Sequence, residues 1–251
     1  MNPFEIHELE HLSPSSINLF AASPAVFVLE KCLKRRQPVG AAAHRGTAVE
    51  AGIASWFETP NADGYAAAIE HAEAEFRRLT ALSGDPRKAK EAEGIADMVK
   101  TGLGELAPYG KPSRMQGRVE HKVEGLAVPI IGFFDFAWDE TGILLDLKTT
   151  HRVPSQTSTS HARQVALYRA AMGDNLEARI SYVSTKKAVT YRLENARDHI
   201  AALERIALTI QRFLALSTDP FELAGFVAPD VDSFYLADPA ARQAAFEVWQ
   251  F

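Results

Sequence analysis

The chain has 251 residues, of which 47% are hydrophobic and 24% charged, and its formal net charge is −5. That composition supplies enough apolar surface for a full core, and it excludes a disordered or collagen-like chain. No uninterrupted run of about 18 apolar residues occurs, so the sequence encodes no membrane span. The acidic first ten residues do not have the form of a secretory leader. We therefore expect a cytoplasmic protein with no membrane partner.

The single cysteine, Cys32, can neither form an internal disulfide nor gather a zinc or iron–sulfur centre. The acidic balance is opposite in sign to that of proteins that coat DNA nonspecifically, because phosphate neutralisation supplies most of that affinity. It does not exclude nucleic acid, since a metal site needs carboxylates and basic residues can be local. Basic clusters occur at 31–36 and at Lys186 and Lys187, for which a solvated face is the simpler interpretation.

The first part of the chain is predicted to be helical. Capping and breaking signals occur at Ser13-Pro14, Ser23-Pro24, Asp63 and Asp85-Pro86. One helix is predicted after Gly46, over 47–58. Two more are predicted from Asp63, over 63–82, and from Asp85, over 85–106. From Arg114 onward the pattern changes, because short β-rich segments and turn residues replace the helical spacing.

The second part of the chain is predicted to alternate between strands and helices. The strands are predicted over 116–124, 127–138, 143–149, 178–184 and 188–193. Helices are predicted over 160–172, from a cap at Asn195 to about Leu216, and after Asp238-Pro239 in an otherwise loop-like tail. This order predicts an α/β (α+β) fold with a central mixed β-sheet flanked by helices. No linker separates two domains, so we expect one domain over residues 1–251.

The strand over 143–149 carries an acid and a lysine two residues apart, Asp146 and Lys148. Side chains alternate between the two faces of a strand, so these two residues are neighbours on one face. Ile143, Leu145 and Leu147 then point to the opposite face, into the core. Acid-X-Lys triplets are weak signals on their own, and residues 120–122 of this chain match the same pattern.

The preceding strand contains one charged residue, Asp135, in an otherwise apolar run, and the tight connection at 139–142 folds it back beside Asp146. Two carboxylates and a lysine are costly to bury without close pairing or a compensating cation. A divalent metal supplies that cation, and ligands that are all oxygen favour Mg²⁺ or Mn²⁺ over zinc. The alternative is an edge-strand salt bridge with half-exposed carboxylates.

Two helical segments add residues to this group. Small residues surround Glu50, which lets its helix press against a sheet with the carboxylate aimed inward. Gln164 and Tyr168 are four residues apart, so they stack on one helical face, a pairing suited to gripping a phosphate or a displaced base. Taken alone, each such segment is more often explained by ordinary helix packing.

Together these segments resemble the PD-(D/E)XK nuclease superfamily, specifically its RecB-type and phage lambda exonuclease-type branch. The resemblance spans about residues 12 to 193. Its elements are the segment SPSSINLF, the RGxxxE helix, the GFFD strand, the DLKTT strand and the QxxxY helix. It implies a restriction-endonuclease-like core at about 44–193, a helical N-terminal elaboration and a helical C-terminal extension at about 195–251.

The resemblance also implies a role for each residue of the site. Glu50, Asp135 and Asp146 would ligate Mg²⁺ or Mn²⁺, helped by the Leu147 carbonyl, and Lys148 would orient or activate the attacking water. The expected DNA contacts are Gln164, Tyr168, Arg45, Lys186 and Lys187, the last three through backbone phosphates. Relatives with an iron–sulfur cluster carry cysteine near Ser23 and late in the chain, so no cluster is expected here.

The implied function is a metal-dependent DNA nuclease, an exonuclease of phage or prophage recombination or repair. The expected partners are DNA and a recombination or helicase protein. The alternative is a nuclease-fold module that binds DNA or a partner protein without cutting. The acidic balance and the absence of any helicase region in the sequence motivate this alternative.

Overall fold

A computed structural model describes residues 2–59 and 64–251. The helices are α1 (Pro3–Ile6), α2 (Pro14–Ala22), α3 (Pro24–Phe27), α4 (Ala41–Glu58), α5 (Ala66–Leu79), α6 (Lys88–Glu93), α7 (Ile95–Leu106), α8 (Thr159–Met172), α9 (Ala196–Leu214), α10 (Pro220–Ala224) and α11 (Pro239–Trp249). The strands are β1 (Arg114–His121), β2 (Ile130–Trp138), β3 (Ile143–Thr149), β4 (Glu177–Val183) and β5 (Ala188–Arg192). Short π- and 3₁₀-helical turns occupy Val28–Cys32, Ala107–Tyr109 and Phe234–Leu236.

The strands form one mixed sheet in the order β1-β2-β3-β4-β5. β2 and β3 are antiparallel, β3 and β4 are parallel, and β4 and β5 are antiparallel. A parallel pair needs a long crossover, and α8 provides it between β3 and β4. The structure therefore confirms the predicted α/β fold, with a central mixed sheet and flanking helices.

The chain divides into two compact units, and the first comprises Met1–Pro38, Arg118–Gly132 and Asn195–Phe251. Part of its core consists of apolar side chains from the amino-terminal helices and from the tail, namely Val26, Leu29, Leu236, Ala241 and Ala245. A parallel bridge joins Leu12 to Ile130. In addition, the buried His7 side chain lies 3.2 Å from the Leu214 carbonyl oxygen. The amino-terminal segment therefore contacts both other segments of this unit, residues 118–132 and 195–251.

The second unit comprises Val39–Gly117 and Phe133–Glu194 and contains the predicted site residues. One face of its sheet packs against α4, α5 and α7, in a core that includes Phe57, Leu103, Phe136 and Leu145. The other face packs against α8 through a cluster formed by Val165, Ala178, Ile180 and Tyr182. Leu147 and the partly buried Ile143 belong to the first core, as the strand alternation predicts. The prediction of one domain over residues 1–251 stays a prediction.

The structure corrects two predicted helix starts. Helix α4 begins at Ala41 instead of residue 47, because the Ala41 N–H donates to the Asp85 carboxylate at 2.8 Å. Asp85 therefore caps a helix that is distant in sequence, and the helix predicted over 85–106 begins only at Lys88. That helix is also divided in two at Gly94. The predicted cap at Asp63 lies outside the described residues, and α5 ends at Leu79, three residues before the predicted end.

The strands and later helices follow the prediction closely, and β3 has the predicted bounds. β1 and β2 are displaced or shortened because residues 122–129 form turns, with Gly125 at a φ of +79°. Asn195 precedes α9 as predicted, but its backbone is left-handed and its side chain makes no capping bond. Asp238 caps α11 through the N–H groups of Ala240 and Ala241. No helix in the described residues is long and apolar enough to cross a bilayer.

Candidate active site

The antiparallel register of β2 and β3 brings two carboxylates to adjacent strands. Phe136 pairs with Leu145, so Asp135 and Asp146 are the next residues along their strands. Both are buried, with Asp135 at 9% and Asp146 at 1% exposure. The connection between the strands is a tight turn in which Gly142 has a φ of +65° and its N–H donates to the Asp139 carbonyl. The turn therefore fixes the register that sets the two acids side by side.

The two acids have different partners. Asp135 Oδ2 accepts a hydrogen bond from the Leu147 N–H at 2.6 Å. Asp146 Oδ2 lies 2.7 Å from the Lys148 ammonium nitrogen in an ion pair. Within the described residues, however, neither buried oxygen of Asp146 has a partner in hydrogen-bond geometry. Lys148 is close to Oδ2, so Oδ1 is the buried oxygen of Asp146 whose acceptor capacity the described residues leave unused.

Glu50 comes from α4, whose backbone lies close to the end of β3. A Cβ atom at Gly46 would lie 3.2 Å from Thr149 Oγ1, so the glycine allows this close approach. The Glu50 carboxylate is half-buried and accepts a hydrogen bond from Gln116 Nε2 on β1 at 3.0 Å. The helix thereby delivers a third acid toward the pair on β2 and β3.

Electrostatic effects link these residues into one group. Burial, together with the charges of Asp146 and Glu50, raises the pKa of Asp135 well above its ordinary value. Burial and the charge of Asp146 likewise raise the pKa of Glu50. Burial alone would lower the pKa of Lys148, but the carboxylates of Asp146 and Asp135 outweigh it and the net shift is upward. Three acids thus share one lysine, so acidic side chains outnumber cations in this group, and the raised pKa values reflect burial and mutual repulsion.

The family assignment comes from comparison with known proteins. The sequence model of the PD-(D/E)XK nuclease superfamily matches residues 11–242. The chain belongs to the PD-(D/E)XK nuclease superfamily. No curated protein matches the chain. A solved structure that does match is titled "Crystal structure of SSO0001", with 15% sequence identity and a TM-score of 0.37. That match covers 75% of this chain and 84% of the other.

Nucleases of the PD-(D/E)XK superfamily act on DNA and generally use divalent metal ions, and the donor set of this chain fits such an ion. The available donors are carboxylate oxygens, which hard cations such as Mg²⁺ prefer. Asp146 Oδ1, which has no partner in the part of the chain that the structure describes, is the clearest sign of this fit. In the described residues, no group of three or more histidine, cysteine, aspartate or glutamate side chains is already gathered around a common point. The predicted ligand set, including the Leu147 carbonyl, therefore stays a prediction.

The predicted DNA-contact residues of this PD-(D/E)XK chain have very different environments. Gln164 Nε2 lies 2.6 Å from the Tyr168 hydroxyl on α8 and donates to it. Tyr168 is only 2% exposed, and burial and the charge of Asp146 raise its pKa, so it is a buried neutral phenol. Gln164 remains partly exposed. Lys186 and Lys187 are exposed in the turn between β4 and β5.

Arg45 is buried, at 4% exposure, and its guanidinium forms an ion pair with the equally buried Glu91. The same guanidinium lies 3.4 Å from Thr149 Oγ1 and 3.4 Å from His151 Nε2. This arginine thus joins α4 to α6 and to the end of β3. The environment favours a structural role over a phosphate contact, and the predicted DNA contact of Arg45 stays a prediction.

Sequence reasoning missed several residues that surround the site. Gln116 contacts Glu50, and Glu91 contacts Arg45. In each pair the two residues are distant in sequence. His161 is not among the predicted site residues, and its ring nitrogen Nδ1 is 2.8 Å from the Tyr182 hydroxyl. One signal was available, since the i, i+3, i+7 spacing of 161, 164 and 168 places all three on one face of α8. The other partners depend on tertiary contacts that local spacing does not encode.

Proposed function

We propose that this PD-(D/E)XK nuclease is a Mg²⁺- or Mn²⁺-dependent DNA exonuclease of the RecB-type or phage lambda exonuclease-type branch. Its biological setting is recombination or repair of the phage or prophage type, with a recombination or helicase protein as partner. The observation that carries the proposal is that two buried acids, Asp135 and Asp146, and the half-buried Glu50 lie in one electrostatically coupled group with one lysine. Such an arrangement is costly unless a cation completes it.

In this proposal Glu50, Asp135, Asp146 and the Leu147 carbonyl hold the metal. The bound ion supplies Lewis-acid polarisation of the phosphate and lowers the pKa of water. Lys148 contributes a positive charge and N–H donors, which orient the attacking water and offset negative charge on the phosphate. Asp146 holds this ammonium in place through their 2.7 Å ion pair. The Leu147 N–H donates a hydrogen bond to the Asp135 carboxylate and so holds that carboxylate in place.

DNA contacts are divided between the site and the surface. Gln164 is the reachable member of its pair with Tyr168, so it contacts the DNA strand while the buried phenol fixes its amide. Lys186 and Lys187 contact backbone phosphates, which fixes position without reading sequence. Arg45 has a structural role in this proposal, because its ion pair with Glu91 joins α4, which carries Glu50, to α6.

Incubation with linear and closed circular DNA tests the proposal. With Mg²⁺ or Mn²⁺ the wild-type protein should degrade the linear substrate and leave the circle intact, and EDTA should stop the reaction. The Asp146→Asn variant should be inactive, whereas Glu120→Gln should retain activity. Glu120 is the matched control because it starts the second acid-X-Lys triplet but pairs with Arg118 at 3.0 Å.

The other outcomes separate the alternatives. Cleavage of circles would make the protein an endonuclease. DNA bound equally by wild type and Asp146→Asn, without metal-dependent loss of either substrate, would instead favour the non-cleaving module.

A further inference from the structure

His161 lies at the first turn of α8, on the face that also carries Gln164 and Tyr168. The helix begins with a cap in which the Ser158 hydroxyl accepts the His161 backbone N–H at 3.3 Å. The imidazole is half-buried, so substrate can reach it while neighbouring side chains restrict its motion. Three polar side chains of α8 therefore form one row above the sheet.

Two tyrosines hold the imidazole in a defined orientation. Tyr182 is buried, and its hydroxyl lies 2.8 Å from His161 Nδ1, with the two ring centroids 5.6 Å apart. Tyr182 in turn contacts the ring of Tyr191, at 6.0 Å between centroids. The Tyr191 hydroxyl donates to the Pro154 carbonyl at 2.7 Å, which anchors the loop that leads into α8. The histidine ring is thus fixed from both the sheet and the loop.

The hydrogen bonds of Tyr182 are compatible with a histidine ring that carries its proton at Nε2. The Ser158 backbone N–H donates to the Tyr182 hydroxyl oxygen at 3.3 Å. That bond leaves the hydroxyl proton available for donation to His161 Nδ1, which is the arrangement for the tautomer protonated at Nε2. A neutral imidazole that accepts at Nδ1 carries its own proton at Nε2. His161 therefore presents Nε2 as a hydrogen-bond donor.

Burial and the nearby Lys148 both favour the neutral form of this ring. Tyr182 is the residue of β4 that pairs with Lys148 in the parallel register. Burial and the positive charge of Lys148 lower the pKa of His161, while Asp146 opposes the shift. A neutral N–H donor beside an ammonium group is suited to an anionic oxygen, because both groups offer hydrogens to it.

We propose that His161 donates a hydrogen bond from Nε2 to a non-bridging oxygen of the scissile phosphate, on the same side as Lys148. The inference rests on the proposed nuclease function, because it assigns one further contact to that substrate. His161 is then a catalytic residue, since it touches the reacting group. Tyr182 is a positioning residue that acts through the histidine.

DNA with a single phosphorothioate linkage tests this contact directly, since sulfur accepts hydrogen bonds poorly. The Rp and Sp diastereomers are compared with normal DNA for wild type, His161→Ala, His161→Gln and Tyr182→Phe, with Mn²⁺ to reduce the direct effect of sulfur on the metal. His161→Ala should lower kcat roughly tenfold to a hundredfold, the scale for a hydrogen bond to a charged group. For one diastereomer, the loss of rate caused by replacing oxygen with sulfur should be smaller in His161→Ala than in wild type.

Rescue and a matched histidine control separate this contact from a structural role. His161→Gln should recover much of the rate because its amide offers an N–H donor, and Tyr182→Phe should lie between wild type and His161→Ala. His121→Gln should behave as wild type, because His121 bonds to Glu204 at 2.8 Å in the other unit. A His161→Ala rate within twofold of wild type, or an unchanged loss of rate with sulfur for both diastereomers, overturns the inference.

Fluorescence anisotropy with a DNA oligonucleotide in EDTA keeps the two proposals distinguishable. A wild-type protein that cuts no DNA with any metal contradicts the proposed function, and the binding measurement then decides the His161 contact. Affinity that falls about tenfold in His161→Ala and returns in His161→Gln supports the contact. Equal affinities of wild type and His161→Ala overturn it.

Discussion

Two buried ionic groups of the second unit differ in how their charges are balanced. Arg45 and Glu91 form an ion pair, each is about 4% exposed, and the exposed His151 ring lies 3.4 Å from the Glu91 carboxylate. In the other group, the carboxylates of Glu50, Asp135 and Asp146 share the single ammonium of Lys148. The charges of the first group balance, although Arg45 Nε has no hydrogen-bond partner in the described residues, whereas the second group has more carboxylates than cations and an unpartnered acceptor on Asp146. A balanced pair stabilises a fold, and an unbalanced group is suited to binding a cation.

The comparison also assigns different roles to two residues of one sequence motif. Arg45 and Glu50 belong to the same helix and the same RGxxxE segment. The arginine is turned to a structural partner in α6, while the glutamate belongs to the acidic group. A motif read from sequence therefore mixes residues that support a site with residues that act in it.

Removing one acid from the unbalanced group should separate activity from stability. We expect Asp146→Asn to lower the cleavage rate by at least about a thousandfold, on the scale of losing a principal charge-stabilising group. Its free energy of unfolding in EDTA should change less than that of Glu91→Ala, because relief of the charge repulsion with Asp135 and Glu50 offsets the lost ion pair with Lys148. DNA cleavage kinetics and urea denaturation measure the two effects. A variant that loses stability in parallel with activity would make Asp146 a structural residue.

Breaking the balanced pair should have the opposite signature. Glu91→Ala leaves the buried Arg45 charge without its partner, which should lower the free energy of unfolding by about 3–5 kcal/mol. The double variant Arg45→Met with Glu91→Leu should recover most of that loss, because it removes both charges. Urea denaturation at neutral pH provides the comparison. Equal stability of Glu91→Ala and wild type would show that the pair does not hold α4 and α6 together.

The hydrogen bond between Gln116 and Glu50 should have a smaller effect. Gln116→Leu removes the donor at 3.0 Å and leaves the carboxylate chemically intact. We expect roughly a fivefold to tenfold loss of the cleavage rate, the scale of one hydrogen bond to a charged acceptor. Gln116→Asn at the same position serves as the polar control. A rate equal to wild type in Gln116→Leu would mean that β1 does not orient Glu50.

The smallest effect is expected at the exposed lysines. Lys186→Ala and Lys187→Ala should each reduce the slope of log affinity against log salt by roughly 0.9, with only a few-fold loss of affinity at low salt. Arg45→Lys should leave that slope unchanged, because the arginine is buried and paired with Glu91. Anisotropy titrations between low and moderate salt measure the slopes. A steeper change for Arg45→Lys than for the lysine variants would restore Arg45 as a phosphate contact.

Local signals were sufficient for the part of the fold that carries the acids. Alternation and turn residues predicted β3 with its observed bounds, and the short connection predicted its antiparallel partner. The start of α4 could not be predicted in this way, because its capping carboxylate, Asp85, is 44 residues away. The partner of Arg45 was missed for the same reason, since Glu91 is 46 residues away. Local pattern thus predicts elements, while caps and buried pairs depend on tertiary contacts.

Mn²⁺ binding measured by isothermal titration calorimetry tests the central claim most directly. The wild-type protein should bind Mn²⁺, and Glu50→Gln, Asp135→Asn and Asp146→Asn should each weaken binding by at least about tenfold. Glu120→Gln, from the triplet that lies outside the acidic group, should bind as wild type does. A wild-type protein that binds no Mn²⁺, or three carboxylate variants that bind as tightly as Glu120→Gln, would contradict the assignment of these acids to one metal site.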